Sequence, residues 1–352
     1  MPAFHGEVAV VGDLTERQQA IATAVVAEHI RTAQPVGSAK LCTLREIECS
    51  PATVRSEMAR LEEWGYLHQP HTSAGRVPLS PAYRLYVNEL RTAGGRLDRD
   101  ITWIQGELRR VAGRPETALR LGSAILSRIT HYPAIVISPR GRGPRIIDLS
   151  LTPISATNVL VSWLDDRGNS EETLIEIGSP IRADRVMELE SALREELLGK
   201  SPAEPLEAEA EEEPARELLE GVHDALEEAG SGRVYVEGTT YILDQPEFEE
   251  LHRLRRVIGT LSQSPVMRRA LTVAAGSAVR KDRPASASIG EEHGVKPLQD
   301  CSVVAASYSV DDRRSGTVGV LGPMRMDYSL ALEMVGTIAR NLGQALARER
   351  ER

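Results

Sequence analysis

Residues 68–78, HQPHTSAGRVP, hold a glycine, two prolines, two histidines, a Thr-Ser pair and an arginine, but no acid. Such a set suits an anion. Thr72 and Ser73 offer hydroxyls, His68 and His71 can donate hydrogen bonds, Gly75 supplies a turn, and Arg76 is a cation long enough to enter a minor groove. An ordinary polar hairpin would also use Gly and Pro, yet it needs no such excess of donors. Directly upstream lies SPATVRSEMARLEEWG, residues 50–65. On a helical wheel Val54, Met58 and Leu61 share one face. The opposite side presents Ala52, Thr53, Ser56 and Arg60, with Arg55 on a flank and Ser50 at the start. Small side chains there allow close approach, hydroxyls and guanidinium groups reach base edges or phosphates, and the helix N-terminus favours phosphate. On the helix alone, a plain helical hairpin with a hydrophilic outer face reads equally well. The donor-rich loop tips the balance to DNA binding.

Catalysis finds no support. No GxSxG, Walker or HExxH arrangement occurs, and His131, His223, His252 and His293 stand apart without ligand spacing. The Gly-rich GRGPR at 141–145 falls between two strand-like runs, so it reads as a turn and not a phosphate loop. No cofactor and no metal are expected. Cys42, Cys49 and Cys301 form no CxxC pair, consistent with a reducing compartment and no zinc site. The opening MPAFHGEVAVVGD lacks the charged and apolar regions of a signal peptide, and no apolar run reaches the ~18 residues a membrane helix needs. A cytoplasmic protein is expected. The net charge of −9 taken alone disfavours nucleic acid, but residues 204–228 carry eleven acids against one arginine. That segment accounts for the whole negative balance, and the rest of the chain is close to neutral.

The elements that must position the helix and loop are legible upstream. Thr15 can cap a first helix, with Gln18 completing a capping box. QPVG interrupts the chain, Ser38 can cap a second helix, SAKLCTLRE, and Ser50 a third, with Pro51 at its first position. Gly65 ends that helix, YLHQ is strand-like, and PAYRLYVNEL begins a fourth helix. Three helices and a hairpin make a helix-turn-helix with a wing.

Three stretches, LTERQQAIATAVVAEHIRTAQPVGSAKL, SPATVRSEMARLEEWGYLHQPHTSAGRVP and YRLYVNEL, closely resemble the N-terminal domain of the heat-inducible transcription repressor HrcA family. The likeness resumes at ITHYPAIVISP, VEGTTYILDQPEF, ASIGEE and GTVGVLGPMRMDYSLALEMV, and so covers almost the whole chain. The resemblance implies a repressor of groE- and dnaK-type chaperone operons, binding an inverted-repeat operator as a homodimer and modulated by the GroE chaperonin. It maps the family's recognition helix to residues 50–62 and its wing to residues 71–78. This chain departs in having REIECS, without glycine, before that helix, and Ser56 where the family commonly has Asn.

Beyond residue 92 the pattern is mixed α/β. Residues 133–139, 145–154, 157–168 and 172–178 are β-rich runs separated by turn signals, as in an antiparallel meander. DCSVVAASYSV and GTVGVLGP add two strands, and an amphipathic helix closes the chain. The resemblance implies a GAF-like domain with an inserted dimerisation domain. The expected α+β organisation is therefore an N-terminal extension (1–13), a winged helix-turn-helix (14–92), a GAF-like domain (93–179 and 281–352) and an insert (180–280) that contains the acidic segment. A regulator that senses a small molecule through the GAF-like part stands as the alternative.

Overall fold

The computed structural model describes residues 14–44, 47–72, 74–90, 98–140, 145–166, 168, 170–202, 206–208, 210–230, 232–280, 283–311 and 315–347. The expected extension at 1–13 lies outside them. In chain order the elements begin with α1 (Glu16–Thr32), α2 (Ser38–Leu41), α3 (Pro51–Glu63), β1 (Leu67–His68), β2 (Val77–Pro78), α4 (Ser80–Glu89), α5 (Asp98–Arg110) and α6 (Pro115–Thr130). Then come β3 (Ala134–Arg140), β4 (Ile146–Pro153), β5 (Asn158–Asp165), β6 (Ser170–Glu176), α7 (Ala183–Leu197), α8 (Glu213–Gly230) and β7 (Val234–Glu237). The last are α9 (Leu251–Leu261), α10 (Ser264–Arg280), β8 (Ser286–Ile289), β9 (Cys301–Ser309), β10 (Ser315–Pro323) and α11 (Tyr328–Ala347). The fold is mixed α/β, with helices and antiparallel sheets.

Two compact units divide the chain. The first takes residues 1–136, 236–307 and 317–352, and the second takes 137–235 and 308–316. This division does not follow the expected domain limits. Residues 137–179, expected in the GAF-like part, fall in the second unit, and 236–280, expected in the insert, fall in the first.

In the first unit, α1 starts at a full capping box. Thr15 Oγ1 accepts from Gln18 N at 3.4 Å while Gln18 Oε1 accepts from Thr15 N at 3.0 Å. This satisfies two of the donors a helix start leaves free. The second helix is shorter than expected. Gly37, not Ser38, stands at its N-cap without a side-chain bond, and it ends at Leu41. α1, α3 and α4 pack together over Ile21, Val25, Val54, Leu61 and Tyr83, each no more than 2% exposed. A five-stranded sheet, most of whose residues belong to this unit, runs in the order β7-β3-β10-β9-β8, with β8 antiparallel to β9 from Ser286↔Ala305 to Ile289↔Ser302. α11 packs on α5 and α6. Gly122 lets α6 and α11 come close, since a Cβ there would stand 3.0 Å from Leu342 Cδ2.

The second unit is a meander of β4, β5 and β6, antiparallel throughout, with Leu149↔Trp163 and Val161↔Thr173 among its pairs. Every second residue of β5, from Val159 to Asp165, is buried, the period-two signature of a sheet with one covered face. α7 and α8 join that face in one core around Leu149, Val161, Trp163, Leu193 and Val222. The expected meander included β3, which instead pairs with β7 and β10. A near-continuous apolar run such as AIVIS suits a strand covered on both faces, which places it inside a larger sheet.

Candidate nucleic-acid interface

The start of α3 is fixed by its own residues. Ser50 Oγ accepts from Thr53 N at 3.2 Å and shares a 2.9 Å hydrogen bond with Thr53 Oγ1, and Pro51 fills the first turn. Val54, Met58 and Leu61 are the buried residues of the helix, the face the wheel assigns to packing. Ala52, Arg55, Ser56 and Arg60 are exposed and Thr53 is half-buried. Arg60 Nη1 lies 3.8 Å from Glu57 Oε1, a loose pair at the solvent edge. Glu57 turns its other oxygen to Gln18 Nε2 of α1 at 2.9 Å, so that carboxylate serves the helix packing. No described residue forms an ion pair with Arg55. Beside α3, Arg31 holds the Glu28 carboxyl below the usual carboxylate range by a hydrogen bond, and Lys40 of α2 stands 3.8 Å from the same group.

The hairpin after α3 is short and tightly wired. β1 and β2 pair antiparallel at Leu67↔Pro78 and His68↔Val77. Gln69 supports the loop between them. Its N–H donates to Glu62 Oε1 at 2.8 Å, and its Nε2 donates to Thr72 O at 3.1 Å and Ala74 O at 2.9 Å. Ala74 N donates to His71 O at 2.8 Å to close the turn. His71 and Thr72 project as exposed residues, while Ser73 lies outside the described residues.

Two loop residues differ from their expected roles. Gly75, expected to supply the turn, follows the turn that Ala74 N closes on His71 O. Its need is close approach, because a Cβ there would meet the Val36 carbonyl carbon and oxygen at 2.4 Å. Val36 N donates to Arg76 O and Arg76 N to Val36 O, each at 2.8 Å, which stitches the loop to the segment before α2. Arg76 is not a free cation at the tip. Its Nη2 lies 2.9 Å from Glu62 Oε2, and its side chain is 15% exposed. The stitch to Val36 turns this residue toward α3, and Glu62 captures it.

Sequence reasoning missed Val36, Glu62 and Gln69. A weak signal existed for Glu62, an acid in the last turn of a helix followed by a loop that holds a lone arginine and no acid. Nothing in the pattern marked Val36 or Gln69. The assembled surface can bind a polyanion, since it presents a helix N-terminus, exposed Arg55 and Arg60, the Ser56 hydroxyl, and an exposed His71-Thr72 tip. Among the described residues no group of His, Cys, Asp or Glu could hold a metal ion, and no helix is long and apolar enough to cross a membrane.

Residues 116–331 match the family described as the HrcA protein C terminal domain. The chain is 31% identical to the heat-inducible transcription repressor HrcA of Symbiobacterium thermophilum, covering 94% of this chain and 98% of the relative. It is 32% identical to the protein of that name from Pelotomaculum thermopropionicum, covering 95% and 97%. A crystal structure titled only as a hypothetical protein superposes with a TM-score of 0.57 at 23% identity, over 96% of this chain and all of that one. That likeness concerns the fold alone. With a family match over more than half its length and relatives similar from end to end, the chain belongs to the heat-inducible transcription repressor HrcA family.

Proposed function

We propose that the chain represses chaperone operons of the groE and dnaK type by binding an inverted-repeat operator in double-stranded DNA as a homodimer. Residues 14–92 act in this reading as a winged helix-turn-helix, with α3 in the major groove and residues 71–78 as the wing. The rest of the first unit is the GAF-like body. The single observation that carries the reading is the division of α3 into a buried apolar face and an exposed face that is small, hydroxylic and cationic. A helix used only for packing has no need for two arginines left loosely paired or unpaired.

Ser50 and Thr53 place the helix N-terminus near phosphate, Ala52 and Ser56 allow close approach to base edges, and Arg55 and Arg60 contact bases or backbone. His71 and Thr72 contact the neighbouring phosphate backbone. Gly75 and Arg76 shape the wing through Val36 and Glu62. Two copies are required, because one helix reads one half-site and an inverted repeat mirrors a two-fold protein. The GroE chaperonin, as the family likeness implies, sets how much of the protein is competent to bind.

A titration of the purified chain against a fluorescent duplex carrying a chaperone-operon inverted repeat tests the reading. Saturable binding with steep salt dependence, at least ~10³-fold tighter than to scrambled duplex, is the expected result. Equal affinity for both duplexes would overturn it.

A further inference from the structure

GPMRMDY, residues 322–328, is a distinctive stretch with no part in DNA contact, and its placement gives it one. It joins β10 to α11, and its side chains grip the DNA-binding helices within the first unit. Arg325 Nε bonds Glu247, while its Nη1 reaches the Ile30 carbonyl near the end of α1 at 3.4 Å. Met324 Sδ accepts from Ser80 Oγ at 3.3 Å, at the start of α4. Tyr328, fully buried, donates to Met324 O and accepts from Ser302 Oγ, each at 2.7 Å, and its ring lies 6.3 Å from that of Tyr83 on α4. One turn along α4 from Ser80, Arg84 clasps Glu292 with both arms of its guanidinium, at 2.8 Å through Nε, and adds a 2.7 Å bond to Ala287 O.

These are not ordinary surface pairs. A loose exposed ion pair contributes little to holding geometry, but a forked arginine–carboxylate contact fixes direction as well as distance. Both arginines are largely buried, Arg84 at 24% exposed and Arg325 at 16%. They reach two separate places, the end of α1 and the first turns of α4, and the buried Tyr83–Tyr328 pair adds a third contact. Contacts at separate places remove the rotation that a single contact would leave.

From this geometry, and resting on the DNA-binding reading above, we propose that Arg84–Glu292 and Arg325–Glu247 are positioning pairs. They fix the angle at which the DNA-binding helices are carried on the body, and so determine the half-site spacing that the dimer accepts. Two linked heads gain affinity only when their geometry matches the spacing of the sites. A clasped head is matched to one spacing, and an unclasped head tolerates several at a lower effective concentration.

The test uses the full chain and three duplexes: one half-site, the inverted repeat, and the repeat with a spacer longer by about five base pairs, half a turn of DNA. In the Glu247→Gln/Glu292→Gln variant, affinity for the repeat should fall by about tenfold or more, as expected when two heads lose their shared geometry. Affinity for the half-site should stay unchanged, and discrimination against the long spacer should flatten. The swapped Arg84→Glu/Glu292→Arg variant should recover discrimination relative to Glu292→Arg alone, which a fold defect would not allow. Retained discrimination in the double variant, or an equal loss on the half-site, overturns the proposal. A wild-type chain that binds neither half-site nor repeat overturns the DNA-binding reading itself, and this inference with it.

Discussion

The arginines of α3 and those of the second unit live in opposite surroundings. On α3, Arg60 stands 3.8 Å from its nearest carboxylate and Arg55 pairs with no described residue. In the second unit Arg182, Arg185 and Arg216 sit 2.6, 2.7 and 2.5 Å from Asp184, Glu188 and Glu213. All are surface cations on or beside amphipathic helices. A surface that serves only the fold lets neighbouring acids take up each cation closely, whereas a surface meant for an anionic partner leaves its cations loosely held. For the proposed interface, the closeness of the acids is therefore a better guide than the count of basic residues. The overall charge of −9 hides this.

The largest expected effects test whether the two regions have separate duties. Leu61 and Trp163 are core residues of the first and second units, 0% and 5% exposed. Leu61→Ala should destabilise by about 2–5 kcal/mol and Trp163→Ala by about 3–5 kcal/mol, since each leaves a cavity. Calorimetry reads both losses. Only Leu61→Ala should weaken binding to a half-site at temperatures where both variants remain folded. A matching loss in Trp163→Ala would break the comparison.

A smaller effect is expected at the wing. In Gly75→Ala the new methyl must push Val36 away, and a cost of about 1–3 kcal/mol is typical when atoms are forced into a packed site. DNA affinity should fall while the helical content of α1 and α3 stays intact by circular dichroism. Arg76→Ala sharpens the point. Because Glu62 already holds Arg76, affinity should fall with the salt slope nearly unchanged. A slope reduced by about one would show a direct phosphate contact.

What could be read from sequence follows the range of the forces involved. Caps act over three or four residues, so Thr15, Gln18, Ser50 and Pro51 gave helix starts that the structure bears out. The α3 faces follow from a period within one helix, and Val54, Met58 and Leu61 are buried accordingly. Contacts that join distant segments left no local trace. The Val36–Arg76 stitch, the Arg84–Glu292 clasp and the pairing of β3 with β10 each depend on where the chain returns, which no period encodes. Gly75 shows both sides. Its identity stood out, but its reason was Val36, 39 residues away, and not its own turn.

The smallest effects give the finest test of the opening contrast. If Arg55 and Arg60 are left free for DNA, each alanine replacement should cost binding and leave stability within about 0.5 kcal/mol, the usual range for surface changes. A base contact would cost about 1–3 kcal/mol at one operator position, and a phosphate contact would lower the salt slope by about one on every sequence. Arg182→Ala and Arg216→Ala remove closer ion pairs, yet exposed pairs contribute little to stability. Both should leave unfolding almost unchanged and DNA affinity unaltered. Short distances would then accompany small effects, and the long Arg60–Glu57 distance a larger one. Titrating the four variants against one operator over a range of salt separates these outcomes. Equal, negligible effects at all four positions would mean that the loose pairing of the α3 arginines has no bearing on DNA.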